Sequence, residues 1–209
     1  MVQQAGLAPM RVCIFSPEEE LCEGLALDSQ EAGFRVEQKF NEPQKLVEFI
    51  SRSNIDQIVL IDVRKRREER LKLIKDLGAS RPLAMVALAD AGDVGLSSVA
   101  LLQAGAQALL VDPARAKDIC AAFAVAVYQQ AKQSRLESEI HDIREKLAQR
   151  KLIEKAKGIL MDAAKVTEAE AFRLIQKQSQ DKRKPMAEIA ASIISAVQLV
   201  KEAARARAE

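Results

Sequence analysis

Ile58-Val59-Leu60-Ile61, running into Asp62, is the stretch that decides the fold. Four consecutive apolar residues leave no polar face, so a strand here is covered on both sides. The same kind of run recurs outward from it. Val12-Cys13-Ile14-Phe15 lies upstream, residues 83–88 and 108–111 lie downstream, and Phe34-Arg35-Val36-Glu37 gives a short alternating strand. Helical spacings fill the gaps. Residues 18–31 carry Leu21, Leu25 and Leu27 and stop at Gly33. Residues 43–53 carry Leu46, Phe49 and Ile50. Residues 68–77 carry Leu71, Ile74 and Leu77 and stop at Gly78, and residues 94–103 stop at Gly105.

Strand and helix in strict alternation, with continuous apolar strands, predict a parallel sheet packed on both faces. Five strands of this length predict a flavodoxin-like, doubly wound α/β domain with its core in residues 1–113. The composition agrees: 48% of the 209 residues are hydrophobic, enough to bury a core. No run approaches the roughly 18 apolar residues of a membrane span. Residues 1–10 lack a basic segment followed by an apolar one, so no membrane partner and a cytoplasmic location are expected. Cys13, Cys22 and Cys120 have no metal-ligand spacing and read as reduced thiols, and His141 sits in a charged stretch. With no glycine-rich phosphate loop and no nucleophile beside a base, no enzyme, catalytic residue, metal or cofactor is expected.

After Pro113 the pattern turns helical. No glycine or proline occurs from Ala114 to Lys157. Residues 114–151 read as the domain's last helix continuing into a dimerisation helix. Leu136, Ile140, Ile143 and Leu147 are spaced 4, 3, 4, as in a coiled-coil seam. Flanking Arg135, Glu139, Arg144 and Glu145 leave room for a narrow seam only. An amphipathic helix packed on its own domain is the competing reading. Residues 152–200 divide into three helices. The first carries Ile153, Ala156, Leu160 and Ala164 on one face. The second opens with Thr167-Glu168-Ala169-Glu170, a capping box, and turns Ala171, Leu174, Ile175 and Gln178 inward. The third starts at Pro185 and buries Ile189, Ala190, Ile193, Ile194 and Val197. Residues 201–209 form a charged tail.

Charge divides along the chain. Residues 1–131 hold 15 Lys and Arg against 18 Asp and Glu, a net of −3, whereas residues 132–209 hold 17 against 12, a net of +5. The basic half suits a polyanionic partner or an ordinary solvated surface.

Ala156-Lys157-Gly158-Ile159-Leu160-Met161, then Thr167-Glu168-Ala169-Glu170-Ala171-Phe172 with Leu174, then Ile189-Ala190 and Ile193-Ile194, closely resemble the ANTAR domain, which takes its name from the AmiR and NasT transcription antitermination regulators. Ser179 stands where that family usually has Ala, and Pro185 is a second departure compatible with a helix start. The resemblance implies a small three-helix all-α module that binds paired stem-loops in leader messenger RNA, so that a terminator hairpin cannot form. Two stem-loops imply two modules, hence a homodimer. Lys157, Arg173, Lys177, Lys182, Arg183 and Lys184 would contact phosphates, and Gln178, with Gln176 and Gln180, would contact base or sugar edges. Lys157 is the sharpest expectation, because small Ala156 and Gly158 flank it; the competing reading is close helix packing with the lysine stem laid over it. Phe172 reads as a minor stacking residue or part of the core.

The N-terminal domain resembles a response-regulator receiver that has lost most of its pocket. Ser16-Pro17 stands in place of the acidic pair that holds magnesium, Ala87 in place of the hydroxyl residue at the end of the fourth strand, and Asp112 in place of the lysine before Pro113. Asp62 holds the phosphoacceptor position, and one carboxylate binds Mg²⁺ poorly. Asp62 therefore reads as a structural carboxylate, with Arg64, Lys65, Arg66 and Arg67 near enough to pair with Asp112. Glu18, Glu19 and Glu20 read as the acidic start of a helix, or as a spare metal ligand. Control by a small-molecule-sensing partner protein, as in nitrate-assimilation and amidase members of the family, is expected in place of phosphorylation. Phosphorylation-dependent regulation through Asp62, DNA binding and a purely scaffolding coiled coil are the competing functions. DNA is not expected, because residues 185–200 lack the exposed polar start of a recognition helix.

Overall fold

The structure, a computed structural model, describes residues 10–53, 57–93 and 96–206. The expected start of the fourth helix at Val94 and the end of the charged tail lie outside the described residues. The chain forms two compact units, Met1–Arg135 and Leu136–Glu209. The division falls within the segment 114–151 read from the sequence as one dimerisation helix.

In the first unit, β1 (Arg11–Phe15), β2 (Arg35–Phe40), β3 (Gln57–Asp62), β4 (Ala84–Asp90) and β5 (Ala108–Asp112) form one parallel sheet in the order β2-β1-β3-β4-β5. α1 (Glu19–Glu31), α2 (Pro43–Arg52), α3 (Arg67–Ser80), α4 (Leu96–Ala104) and the start of α5 (Ala116–Ala164) alternate with the strands. Successive side chains of a strand point to opposite faces. Cys13, Phe15, Val59 and Ile61 thus join one cluster with Leu46, Ile50, Leu73 and Ile74. Val12, Ile14, Ile58 and Leu60 join the other, with Leu25, Ile119 and Phe123. The doubly wound fold is as the sequence predicts, and it brings the C-terminal ends of β1, β3 and β5 together around Asp62.

Two helical readings change. Leu27 is 66% exposed, and α1 buries Cys22, Leu25, Ala26 and Ser29 instead. At about 100° per residue, Leu27 lies some 200° from Leu25 and cannot share its face. Gly78 does not stop α3, which runs to Ser80. A Cβ there would lie 3.3 Å from the Met85 methyl carbon, so the glycine admits a close approach of α3 to β4.

The second unit contains the end of α5, α6 (Glu168–Lys182) and α7 (Met186–Ala206). Its core is small: Ala156, Ile175, Ile189, Ala190 and Ile194, with Ile153, Ile159, Leu160, Met186 and Ile193 packed around them and Ala171 also buried. Leu174 is 45% exposed, and Gln178 and Ala164 are exposed, so these three expected inner positions face water. Ala171 and Ile175, one turn apart, already fill α6's single contact row. The capping box is present: Thr167 Oγ1 accepts from the Glu170 amide at 3.4 Å, and the Thr167 amide donates to Glu170 Oε2 at 2.8 Å. α6 ends in a Schellman turn, with Arg183 at φ 52° and the Lys184 amide donating to the Ser179 carbonyl. Among the described residues, no helix is long and apolar enough to cross a membrane.

Candidate functional site

Asp62 closes β3 and is 3% exposed. Its carboxylate accepts four hydrogen bonds. Ser16 Oγ donates to Oδ2 at 2.9 Å, the Arg64 amide and Nε each donate to Oδ1 at 3.1 Å, and Arg64 Nη2 donates to Oδ2 at 3.3 Å. The same guanidinium reaches two further carboxylates. Nη1 donates to Asp112 Oδ2 at 2.9 Å and Nη2 to Glu18 Oε2 at 3.0 Å. Lys65 pairs with Glu18 as well, and Arg66 with Glu69. Of the four basic residues after β3, Arg64 is the one that bridges Asp62 and Asp112.

The hydrogen bonds that it donates to Asp62 hold the Arg64 guanidinium in its charged form, well above its ordinary range. Lys65 and then Arg64 pull the Glu18 carboxyl down. Arg70 lies alongside, 4.4 Å over the Phe15 ring and 4% exposed. Burial pushes the Cys13 thiol up to about 12, so it stays protonated and unreactive.

Magnesium does not fit this donor set. Both oxygens of Asp62 already accept from Arg64, and Asp112 and Glu18 face the same cation. The guanidinium occupies the space between three carboxylates where a divalent ion would have to sit. Glu18 belongs to this pocket, beyond its place at the start of α1; only the short spacing to Ser16, whose Oγ accepts from the Glu18 amide, hinted at this. Leu88 lies opposite Asp62, while Ala87 pairs with Ile61 on the other sheet face. β4 extends to Asp90, two residues past the expected end. Neither Ala87 nor Leu88 carries a hydroxyl.

In the second unit, α6 presents Arg173 and Lys177 almost opposite its buried row of Ala171 and Ile175. Lys182, Arg183 and Lys184 cluster, exposed, at its C-terminal end, and Gln178 is exposed nearby. Lys184 pairs with Glu188 at 3.1 Å. Among the described residues, Arg173, Lys177, Lys182 and Arg183 make no ion pair.

Lys157 is placed differently from the expectation. The residue is 7% exposed, and its Nζ donates to Glu154 Oε2 at 2.8 Å and to Glu168 Oε1 at 2.6 Å. Those bonds, Glu154 first, raise its pKa, and Lys157 in turn lowers that of Glu168. Its charge is spent on tying the first turn of α6 to α5. Gly158 has nothing within 4 Å of where a Cβ would stand, so it admits no close approach. Ala156, fully buried in the core, does.

Leu136, Ile140, Ile143 and Leu147 are 49%, 47%, 65% and 53% exposed, and every residue from 135 to 152 is exposed. Among the described residues, no other element of the chain covers the apolar seam.

The family model described as the ANTAR domain matches residues 141–194. The transcriptional regulatory protein PdtaR of Mycobacterium tuberculosis, in strains CDC 1551 / Oshkosh and ATCC 25618 / H37Rv, is 30% identical over 186 residues, which cover 89% of this chain and 90% of PdtaR. The solved structure of the response regulator StyR is 17% identical and covers 90% of this chain and 99% of its own, with a TM-score of 0.54. Full-length FixJ from B. japonicum is 16% identical, with a TM-score of 0.51 over 88% and 97%. The signal receiver domain of a modulated diguanylate cyclase from Desulfovibrio desulfuricans G20 is 16% identical, with a TM-score of 0.52 over 60% and 99%. These three show the fold alone. The relative that shares nine-tenths of its length with this chain, and the ANTAR match on the second unit, establish that the protein belongs to the ANTAR-domain response regulators, regulators of transcription with a receiver fold and an ANTAR domain.

Proposed function

We propose that the chain is an RNA-binding transcription antiterminator. It binds paired stem-loops in leader messenger RNA as a homodimer joined through Leu136, Ile140, Ile143 and Leu147, and so prevents the terminator from forming. A ligand-sensing partner protein, in an operon of the nitrate/nitrite-assimilation or amidase type, controls it in place of phosphorylation. The observation that carries this reading is a set of four exposed cations without ion pairs, Arg173 and Lys177 on the outward face of α6 and Lys182 and Arg183 at its C-terminal end, within the ANTAR match. Cations so placed meet phosphates at little desolvation cost. Arg173, Lys177, Lys182, Arg183 and Lys184 are the phosphate contacts and Gln178 an edge contact, while Lys157 acts as a positioning residue beneath them. Phosphorylation at Asp62 is the competing reading, and it requires carboxylate oxygens that Arg64 and Ser16 already occupy.

Mobility shifts on a two-hairpin RNA and a matched DNA duplex, over a salt series, test this. RNA-selective binding is expected. Lys177→Ala should weaken it and flatten the salt slope by about one, whereas Lys157→Met should weaken it with the slope unchanged. Equal binding to RNA and DNA, or none, contradicts the proposal.

A further inference from the structure

Of the six phenylalanines in the chain, Phe172 alone is exposed. Phe15, Phe40 and Phe123 are buried, Phe34 and Phe49 half-buried, and Phe172 keeps 41% of its surface in water. It follows buried Ala171 on α6, so its ring stands about 100° round the helix from Ala171 and about 60° from Ile175, beside the core row and outside it. Gln176 is one turn further along the same side. Arg173 adjoins it, and Lys177 lies on the next row.

A ring in this setting is a poor contact for an apolar protein surface, because such a partner would strip water from the neighbouring cations without returning a charge. A nucleotide supplies both things the surface offers: a flat π-face for the ring and a phosphate for Arg173 or Lys177. Bases inside a stem already have both faces stacked, which leaves the unpaired bases of a loop. We infer that Phe172 is the stacking platform for an unpaired base in the loop of a bound RNA hairpin, with Gln176 placed to read that base's edge. This assignment rests on the RNA-binding reading and names the part of the RNA that the module recognises.

The full chain first selects its own probe from hairpin RNAs with randomised loops. On that hairpin, Phe172→Leu keeps apolar bulk but has no π-face, and it is expected to bind roughly 10- to 100-fold more weakly with an unchanged salt slope. Phe172→Trp is expected to bind at least as well as wild type. The chain contains no other tryptophan, so this variant reports directly on stacking. Its fluorescence should quench on adding the hairpin and stay unquenched with the same hairpin carrying abasic loop nucleotides. A Phe172→Leu chain that binds within twofold of wild type, or a tryptophan signal that the hairpin leaves unchanged, overturns the stacking assignment while RNA binding stands. A wild-type chain that retains no hairpin overturns both. Thermal melts of each variant separate weaker binding from misfolding, and the tryptophan signal needs only the folded Phe172→Trp chain.

Discussion

Replacing Arg64 by Ala is expected to lower the unfolding free energy of the N-terminal unit by about 3–5 kcal/mol, the cost of stranding one member of a buried ion pair. Asp62 is 3% exposed and the Arg64 side chain 13%, so solvent does little to replace the lost partner. Without the guanidinium, Asp62 keeps only the Ser16 hydroxyl and a backbone amide. Asp112 and Glu18 lose the cation that offsets their repulsion. Arg64→Lys should recover part of the loss, because a point ammonium cannot fork across three carboxylates. Adding Asp62→Asn to Arg64→Ala should recover part as well, since the stranded charge is gone. Urea unfolding followed by circular dichroism measures all three variants. A loss under 1 kcal/mol for Arg64→Ala would mean that the clamp is incidental.

Ile140→Asp combined with Ile143→Asp is expected to turn a dimer into a monomer and to weaken binding to a tandem pair of hairpins by about 10²–10⁴-fold, the usual range of linked-site avidity. Affinity for a single hairpin should barely move. Both residues lie in a stretch exposed on every side, so the substitutions remove no packing within the chain. Charges at seam positions oppose a second copy strongly, because the seam is two heptads long. Sedimentation equilibrium and titrations with one- and two-hairpin RNAs read the two effects separately. A wild-type chain that is monomeric at micromolar concentration would contradict the seam's role.

Four of the five strands were legible as continuous apolar runs, which burial on both sheet faces explains, and β2 was legible from its alternation alone. Helix faces were less so. α1 buries Cys22, Ala26 and Ser29, small residues that carry little signal, while Leu27 points to water. The capping box at Thr167 was readable because both partners lie three residues apart. The clamp was half readable. Ser16 and Asp112 stood out as departures from a working pocket. Choosing Arg64 from a run of four basic residues required knowing which side chain turns back over the strand ends. Lys157 misled for a related reason: one partner, Glu168, is 11 residues away across a turn, and no local pattern says that it comes within 2.6 Å. Phe172 could be read either way, since one aromatic residue beside a buried alanine fits a core edge or an outward platform.

The most direct test of antitermination is read-through in vitro, on a template whose leader carries the selected hairpins upstream of an intrinsic terminator. Purified chain is expected to raise full-length transcript in proportion to hairpin occupancy. The Ile140→Asp, Ile143→Asp variant should not, and phosphodonor should make no difference. Tight hairpin binding with no change in read-through would contradict the account and leave the protein an RNA-binding regulator of another kind.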